Sequence, residues 1–312
     1  MYLGPISMPI CEVIPDGYEF VGWSVSPWDQ ETYLPSSSET LLDPLFEYII
    51  KEGEFFVARF REIEVNLYND QFNGETLFAY DGMTAAKVTL EGRTLYKDGN
   101  WNTLCLPFSL TEEQLEASPL AGGDIRTLSS ATFSKGTLTL NFTNEGDVKS
   151  ITAGTPYIVK WASGSDDIPN PSFNGVKIEY AYLPVETDVV TFQGNYSPVG
   201  VGEGGDNTML YLSVDNEGNS VLYYPNDAMT INAFRAYFQL NNDLIGGEPA
   251  SLEQGIKAFV LNFGEETGIG EITNFNTYLS VPSWYTIDGR KLSSKPTKKG
   301  IYIRNGQKIV VK

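Results

Sequence analysis

The sequence predicts an all-β protein, on three observations. Tyr (18) and Phe (17) are abundant beside 30 Gly and 17 Pro, a mixture of strand formers and turn formers that suits short, often interrupted strands. Apolar and polar residues alternate with a period of two in one segment after another, as in Thr137-Leu138-Thr139-Leu140-Asn141-Phe142. Helical periodicity is nearly absent, the exception being a short stretch that opens at Thr111.

At 312 residues the chain exceeds most single β domains, so two or three modules are expected, each burying its own core. A hydrophobic fraction of 41% supplies those cores and argues against disorder. No apolar run approaches the ~20 residues of a membrane helix, so no membrane insertion is expected. The net charge of −19 is unevenly spread. From Trp284 to Lys312 there are eight Lys/Arg and one acid, Asp288, which leaves the rest of the chain with 13 bases and 39 acids. A body this acidic repels phosphate backbones and anionic lipid, which argues against nucleic acid and membrane surfaces as partners. The basic end reads as a tail with a separate job.

Residues 1–60 form the first expected unit. Pro15-Asp16-Gly17 is a turn, and Tyr18-Glu19-Phe20-Val21-Gly22-Trp23-Ser24 alternates as a half-buried strand does. A Ser/Pro-rich stretch from Ser26 to Pro44 follows, and Phe55-Phe56-Val57-Ala58-Arg59-Phe60 closes the unit as a second strand. Phe20, Trp23, Val57 and Phe60 are its predicted core. The Gly-Tyr-x-Phe-x-Gly-Trp segment closed by Val-Ala-Arg-Phe resembles the internalin-type B repeat, also called the Listeria–Bacteroides repeat. That resemblance implies a small β-grasp-like module of the kind arrayed on bacterial surface proteins, with no catalytic residue.

Residues 61–265 are the expected β-sandwich region, in one unit or in two dividing near 165. Strands are predicted at Lys87-Val88-Thr89-Leu90, Trp101 to Phe108, Thr137 to Phe142, Pro156 to Trp161, Val189 to Phe192, Met209 to Leu212, Val221 to Tyr224, Arg235 to Leu240 and Ala258 to Phe263. Asp98-Gly99, Asn144-Glu145-Gly146 and Asn216-Glu217-Gly218-Asn219 supply tight turns. The single predicted helix starts at Thr111, which has the capping-box spacing with Gln114; Glu112 and Glu113 occupy its positive first turn, and Pro119 soon ends it. An internal echo is present too: Asp147, Ile151, Ala153 and Tyr157 recur as Asp227, Ile231, Ala233 and Tyr237, at a constant offset of 80, the mark expected of a duplicated β unit. The segments Trp101 to Phe108 and Ile231 to Phe238 resemble β-rich regions of unassigned activity in large surface proteins of Bacteroidales.

Residues 266–312 are the last expected unit. Trp284-Tyr285-Thr286-Ile287-Asp288-Gly289-Arg290-Lys291-Leu292 reads as strand, turn and strand, and Ile301 to Lys312 as a hairpin about Asn305-Gly306. The pattern is similar to the carboxy-terminal sorting domain of type IX secretion, which implies export and a contact with export machinery through this module. Taken with that implication, the start Met1-Tyr2-Leu3-Gly4, which lacks a basic segment followed by an apolar one, reads as a trimmed amino terminus.

The catalytic inventory is thin. With no histidine in the chain, a Ser-His-Asp triad, a Cys-His pair and a His-ligated metal are excluded. Cys11 and Cys105 cannot build a structural zinc site alone; Cys105, in the run Leu104-Cys105-Leu106, reads as a buried hydrophobe, and a disulfide between the two stays open. Gly200-Val201-Gly202-Glu203-Gly204-Gly205 lacks the strand-to-helix setting of a phosphate cradle and reads as a loop. Calcium would find ligand types at Asp215-Asn216-Glu217-Gly218-Asn219 and at Asp166-Asp167, although the first reads better as a hairpin turn. A carboxylate pair for glycoside hydrolysis cannot be picked from 40 Asp and Glu. Trp28, Trp101, Trp161, Tyr223 and Tyr224 are the candidate platforms for stacking sugar rings.

The expected function is therefore non-catalytic binding or adhesion at the cell surface or after secretion, towards a glycan or a host protein. A stalk within a larger surface protein is the alternative, and an acid-pair glycosidase is the remaining one. No cofactor is expected.

Overall fold

The computed structural model describes residues 5–27, 40–42, 45, 47–51, 53–134, 136–164, 166–215, 218–225, 227–241, 256, 258–264, 284–286, 291–292, 296, 300–304 and 307–311. The fold is all-β.

In the amino-terminal unit, β1 (Ile6–Ser7) pairs with β4 (Glu47–Tyr48), and β2 (Tyr18–Pro27) lies between β3 (Thr40–Leu42) and β5 (Glu54–Glu62), all antiparallel. The register of β2 on β5 slips between Phe20 and Gly22, and Gly22 takes φ 141°, as a bulge in a long strand requires. Met8, Val25 and Leu42 are buried with Trp23, Tyr48 and Phe56 packed on them. Phe20 meets Trp23 and Phe60 edge-on, at 5.6 and 5.9 Å between ring centroids. Val57, expected in the core, is 42% exposed. The period of two decides this: Phe56 opposite Val25 faces inward, so Val57 opposite Ser24 faces outward. Among the described residues this unit has no helix. Its end also lies beyond 60, because β5 runs through Glu62 and Ile63 enters the core of the next unit. Ile63 N–H donates to Gly17 O at 2.8 Å, Ala86 N–H donates to Ile63 O at 2.9 Å, and Gly17 forms a parallel bridge with Ala85.

The body contains β6 (Glu64–Tyr68), α1 (Gly74–Ala79), β7 (Thr84–Glu91), β8 (Thr94–Leu95), β9 (Asn102–Cys105), α2 (Glu112–Glu116), β10 (Asp124–Arg126), β11 (Leu128–Ser134) and β12 (Thr137–Phe142). It continues with β13 (Pro156–Lys160), β14 (Ile168–Pro169), β15 (Ser172–Lys177), β16 (Val185–Glu186), β17 (Val190–Asn195), β18 (Val199–Val201), β19 (Met209–Val214), β20 (Ser220–Tyr223), β21 (Met229–Ile231), β22 (Arg235–Leu240) and β23 (Ala258–Asn262). Helix α2 carries the full capping box: Gln114 N–H donates to Thr111 Oγ1 at 3.2 Å and Thr111 N–H donates to Gln114 Oε1 at 3.0 Å. Helix α1 has no side-chain cap and was not expected. The Asn73 amide that precedes it instead donates to the carbonyls of Tyr68, Gln71 and Tyr196.

Two cores divide the body into layers. The sheet β15-β7-β6 sets Val65, Leu67, Val88, Leu90 and Phe173 against Leu104, Ile125 and Val159 of the sheet β10-β13-β9. The opposite face of that middle sheet sends Trp101 and Ile158 to a second core, shared with Val190, Phe192, Leu210, Phe238 and Leu240 of the sheet β16-β17-β22-β19-β20 and with β11-β12-β23. Strand β9 is buried along its whole length, and β13 over all but its last residue, because the middle sheet packs on both faces. The arrangement is sandwich-like. Strands from either side of residue 165 share sheets, β7 with β15 and β12 with β23, so the body is not cut there.

Within the body the echo at offset 80 is structural. Strands β9, β10–β11, β12 and β13 form one unit, and β17, β19, β20 and β22 form another with the same pairings. Thr103 opposes Ile158 as Phe192 opposes Phe238; Arg126 opposes Ile158 as Leu210 opposes Phe238; Leu128 opposes Phe142 as Leu212 opposes Leu222. Leu110 bridges Ile151 as Val199 pairs with Ile231. Even the backbone exception repeats. Gly154 (φ 80°) donates its N–H to Leu106 O at 2.9 Å, and Phe234 (φ 59°) donates to Asn195 O at 2.8 Å.

At the carboxy-terminal end, β24 (Trp284–Thr286), β25 (Lys291–Leu292), β26 (Gly300–Arg304) and β27 (Gln307–Val311) form one antiparallel sheet in the order β25-β24-β26-β27. The strands flanking both expected turns are paired; Asp288-Gly289 and Asn305-Gly306 themselves lie outside the described residues.

A candidate binding cleft at Trp101

Two turns converge at one end of the middle sheet. Asp98 closes the first by accepting the N–H of Asn100 at 2.9 Å, with Gly99 at φ 91°. Asp215 closes the second by accepting the N–H of Asn219 at 2.9 Å, with Gly218 at φ 86°. Ser220 ties them together: its Oγ accepts the N–H of Trp101 at 3.0 Å and lies 3.3 Å from Asn100 Oδ1. Between these turns, the end of β13 and strand β23 is a cleft of about 290 Å³, near the lower limit of small-ligand pockets. Its wall includes Trp101, Lys160, Asn219, Ser220, Phe259 and Phe263.

Trp101 is 8% exposed and its indole stacks on Phe263 at 4.9 Å between centroids. Phe263 in turn stacks on Phe142 at 5.4 Å. Two cations address the indole. Lys160 Nζ stands 4.7 Å from the ring centroid and the Arg126 guanidinium 5.5 Å. Their states differ. Arg126 is 2% exposed, paired with Asp124 at 2.8 Å, and donates to the carbonyls of Thr143 and Phe263, so it is a clamp on the end of β23. Lys160 is half-buried, lines the cleft and forms no ion pair among the described residues.

The repeat gives this chemistry an internal reference. The positions equivalent to Trp101, Arg126 and Lys160 are Val190, Leu210 and Leu240, and all three are buried in the apolar core. One unit thus carries an indole and two cations where its counterpart carries three aliphatic side chains.

The other expected residues scatter. Trp28 lies outside the described residues. Trp161 is 5% exposed, donates Nε1–H to Ala121 O at 3.1 Å, and belongs to the first core. Tyr223 stacks on Tyr211 at 5.8 Å across β19 and β20. Tyr224 packs edge-on against Phe259 at 5.7 Å, and burial pushes its phenol up to about 12. Asp215 is engaged by Asn219, as the turn reading expected, and Asp167 accepts the N–H of Lys97 at 2.8 Å. Among the described residues no three His, Cys, Asp or Glu side chains converge on a point that could hold a metal. The Gly200–Gly205 segment begins inside β18, and Gly205 N–H then closes a turn on Gly202 O at 3.2 Å. Cys11 and Cys105 are both free thiols in this structure. Among the described residues no carboxylate lines the cleft.

Sequence reasoning named Trp101, placed Asn219 in a turn and among calcium ligand types, and missed Lys160, Ser220 and Phe263. It also missed Phe72, just before α1, and Phe78, within it, 71% and 77% exposed and the most exposed aromatic rings among the described residues. No protein-family model matches the chain, and no curated protein or solved structure matches it either.

Proposed function

We propose that this chain is a non-catalytic binding or adhesion protein, displayed at the cell surface or secreted, that receives a saccharide in the Trp101 cleft. The observation that carries the reading is the replacement of Val190, Leu210 and Leu240 by Trp101, Arg126 and Lys160 at equivalent positions. An aliphatic trio suffices to pack this corner of the fold, as the second unit demonstrates. The first unit departs from it where a cleft opens. An indole with amide, hydroxyl and ammonium groups around it is the mixed apolar and polar lining that saccharide pockets use. Contact with a host or cell-surface glycan is the expected partnership, and the basic carboxy-terminal sheet is read as the part that meets the export machinery. A spacer role is the second reading. What favours it is the junction at Gly17, Ile63 and Ala85, which joins the amino-terminal unit to the body with no linker between them.

The test is a glycan array followed by titration of any hit while following tryptophan fluorescence. Lys160→Ala, on a half-buried residue, is expected to weaken a cleft ligand about tenfold or more, the loss of one charge-assisted contact. An array without a hit, or a hit that Lys160→Ala leaves unchanged, overturns the assignment of the cleft.

A further inference from the structure

Arg93 and Arg235 form a pair that no carboxylate balances among the described residues. Arg93 is 3% exposed and Arg235 is partly buried. Their positions follow from the fold. Arg93 leaves the turn between β7 and β8 and reaches along β9, where Nη2 donates to Thr103 O at 2.9 Å. Arg235 opens β22 and donates through Nη1 to Asn69 Oδ1 and, at 3.1 Å, to Ala233 O. Asn69 lies between the two segments: its N–H donates to Glu91 O at 2.8 Å, two residues before Arg93, and its O accepts the N–H of Ala233 at 2.7 Å, two residues before Arg235. Tyr96, three residues after Arg93, is 51% exposed. Between them the two groups offer about ten N–H donors. The three acceptors of the guanidiniums named above are all neutral, and Arg93 Nε is fully buried without a partner. Among the described residues neither arginine has a carboxylate within ion-pair distance, in a chain whose first 283 residues carry 39 acids against 13 bases.

Two like charges in a poorly solvated place repel and lose hydration. Burial, and next the charge of Arg235, push the Arg93 guanidinium down to about 9; burial also lowers Arg235. An oxyanion would reverse both costs, since each guanidinium presents a fork matched to two oxygens.

We infer that Arg93 and Arg235 form an oxyanion site, reached beside Tyr96, that takes a carboxylate, sulfate or phosphate group. The site is separate from the Trp101 cleft and does not depend on its assignment. The anion is either a free ion or an acidic group on a larger saccharide, and the probes below tell these apart.

The experiment is thermal unfolding of the full chain in sodium sulfate, phosphate, acetate or glucuronate, each against sodium chloride at matched ionic strength. A ligand that binds the native state raises Tm with concentration. The expected result is a saturable rise beyond the chloride control that Arg235→Gln reduces by about tenfold in apparent affinity. Arg235→Lys, which keeps the charge and loses the fork, falls between, and Lys149→Ala, which removes an exposed surface cation, leaves the rise intact. A rise with sulfate and phosphate identifies a free ion; one confined to glucuronate identifies an acidic sugar. Calorimetric titration of sodium sulfate and of glucuronate into the unaltered chain gives a readout that does not require the variants to fold. No anion exceeding chloride and no heat of binding, or a rise that Arg235→Gln leaves unchanged, overturns the inference.

Discussion

Cys105 and Gly194 are equivalent residues of the two repeated units, and they meet where the units pack: a Cβ on residue 194 would stand 2.2 Å from Cys105 Sγ and 2.6 Å from its Cβ. Cys105 opposes Pro156 in one unit as Gly194 opposes Ala236 in the other. With a side chain at both positions the two copies could not approach this closely. The repeat is therefore asymmetric by necessity at its own interface.

Gly194→Ala follows directly. The new methyl has nowhere to go, because Cys105 is fully buried and cannot rotate into space. Overpacking of this kind costs about 1–3 kcal/mol. Urea denaturation is expected to show that loss, and Cys105→Gly in the same chain to restore part of it despite being destabilising alone. Strictly additive effects would mean that the two residues do not share the contact.

Arg126 supports the second prediction. Its side chain is 3% exposed and Asp124's is 14% exposed, so removing the cation strands a carboxylate away from water. Arg126→Met is expected to cost about 3–5 kcal/mol, and Arg126→Met with Asp124→Asn markedly less than that. Equal losses for the single and double variants, by chemical denaturation, would assign the cost to the Phe263 carbonyl that Arg126 also holds.

How much of this was legible beforehand depends on the range of the signal. Strand periodicity is local, and every strand named from alternation in residues 61–265 is present. The capping box at Thr111 is local too, and stands as read. Helix α1 lacks such a signal, because Asn73 spends its amide on carbonyls from distant segments. The cleft is a matter of long-range contact. Trp101 meets Ser220 and Phe263 across more than a hundred residues, and no spacing in the sequence records that. The repeat was visible along one arm alone. From Asp147 to Lys160 the offset is 80, but Leu104, Cys105 and Leu110 match Gln193, Gly194 and Val199 at 89, so the two arms cannot be aligned without a gap. That gap hid the correspondence of Trp101 and Arg126 with Val190 and Leu210.

Thr111→Ala removes the hydroxyl that accepts the Gln114 N–H. The expected cost is about 1 kcal/mol, within the range for lost N-caps. Helix α2 lies over the first core through Leu115, so the loss should register in global unfolding and not as local fraying alone. Thr111→Ser, which keeps the acceptor, is the control and is expected to stay within about half a kcal/mol of the parent.

Cys105 makes the last prediction a matter of pH. Burial pushes its thiol from the ordinary 9.0 up to about 12, and the phenol of Tyr196 beside it is raised as well, again chiefly by burial. A group whose folded pKa is raised stabilises the folded state fully below its unfolded pKa, and that contribution is lost as pH climbs towards the folded value. Stability should then be insensitive to these groups up to about pH 9 and fall between pH 9 and 12. Cys105→Ser keeps a small buried side chain but removes the titrating thiol, so its stability should decline less steeply across that window. Thiol labelling gives the kinetic counterpart. At pH 8 the native chain should react rapidly at Cys11, which is partly exposed, and reach Cys105 only on unfolding. Two equally fast thiols in the native chain would show that the Cys105–Gly194 contact opens in solution.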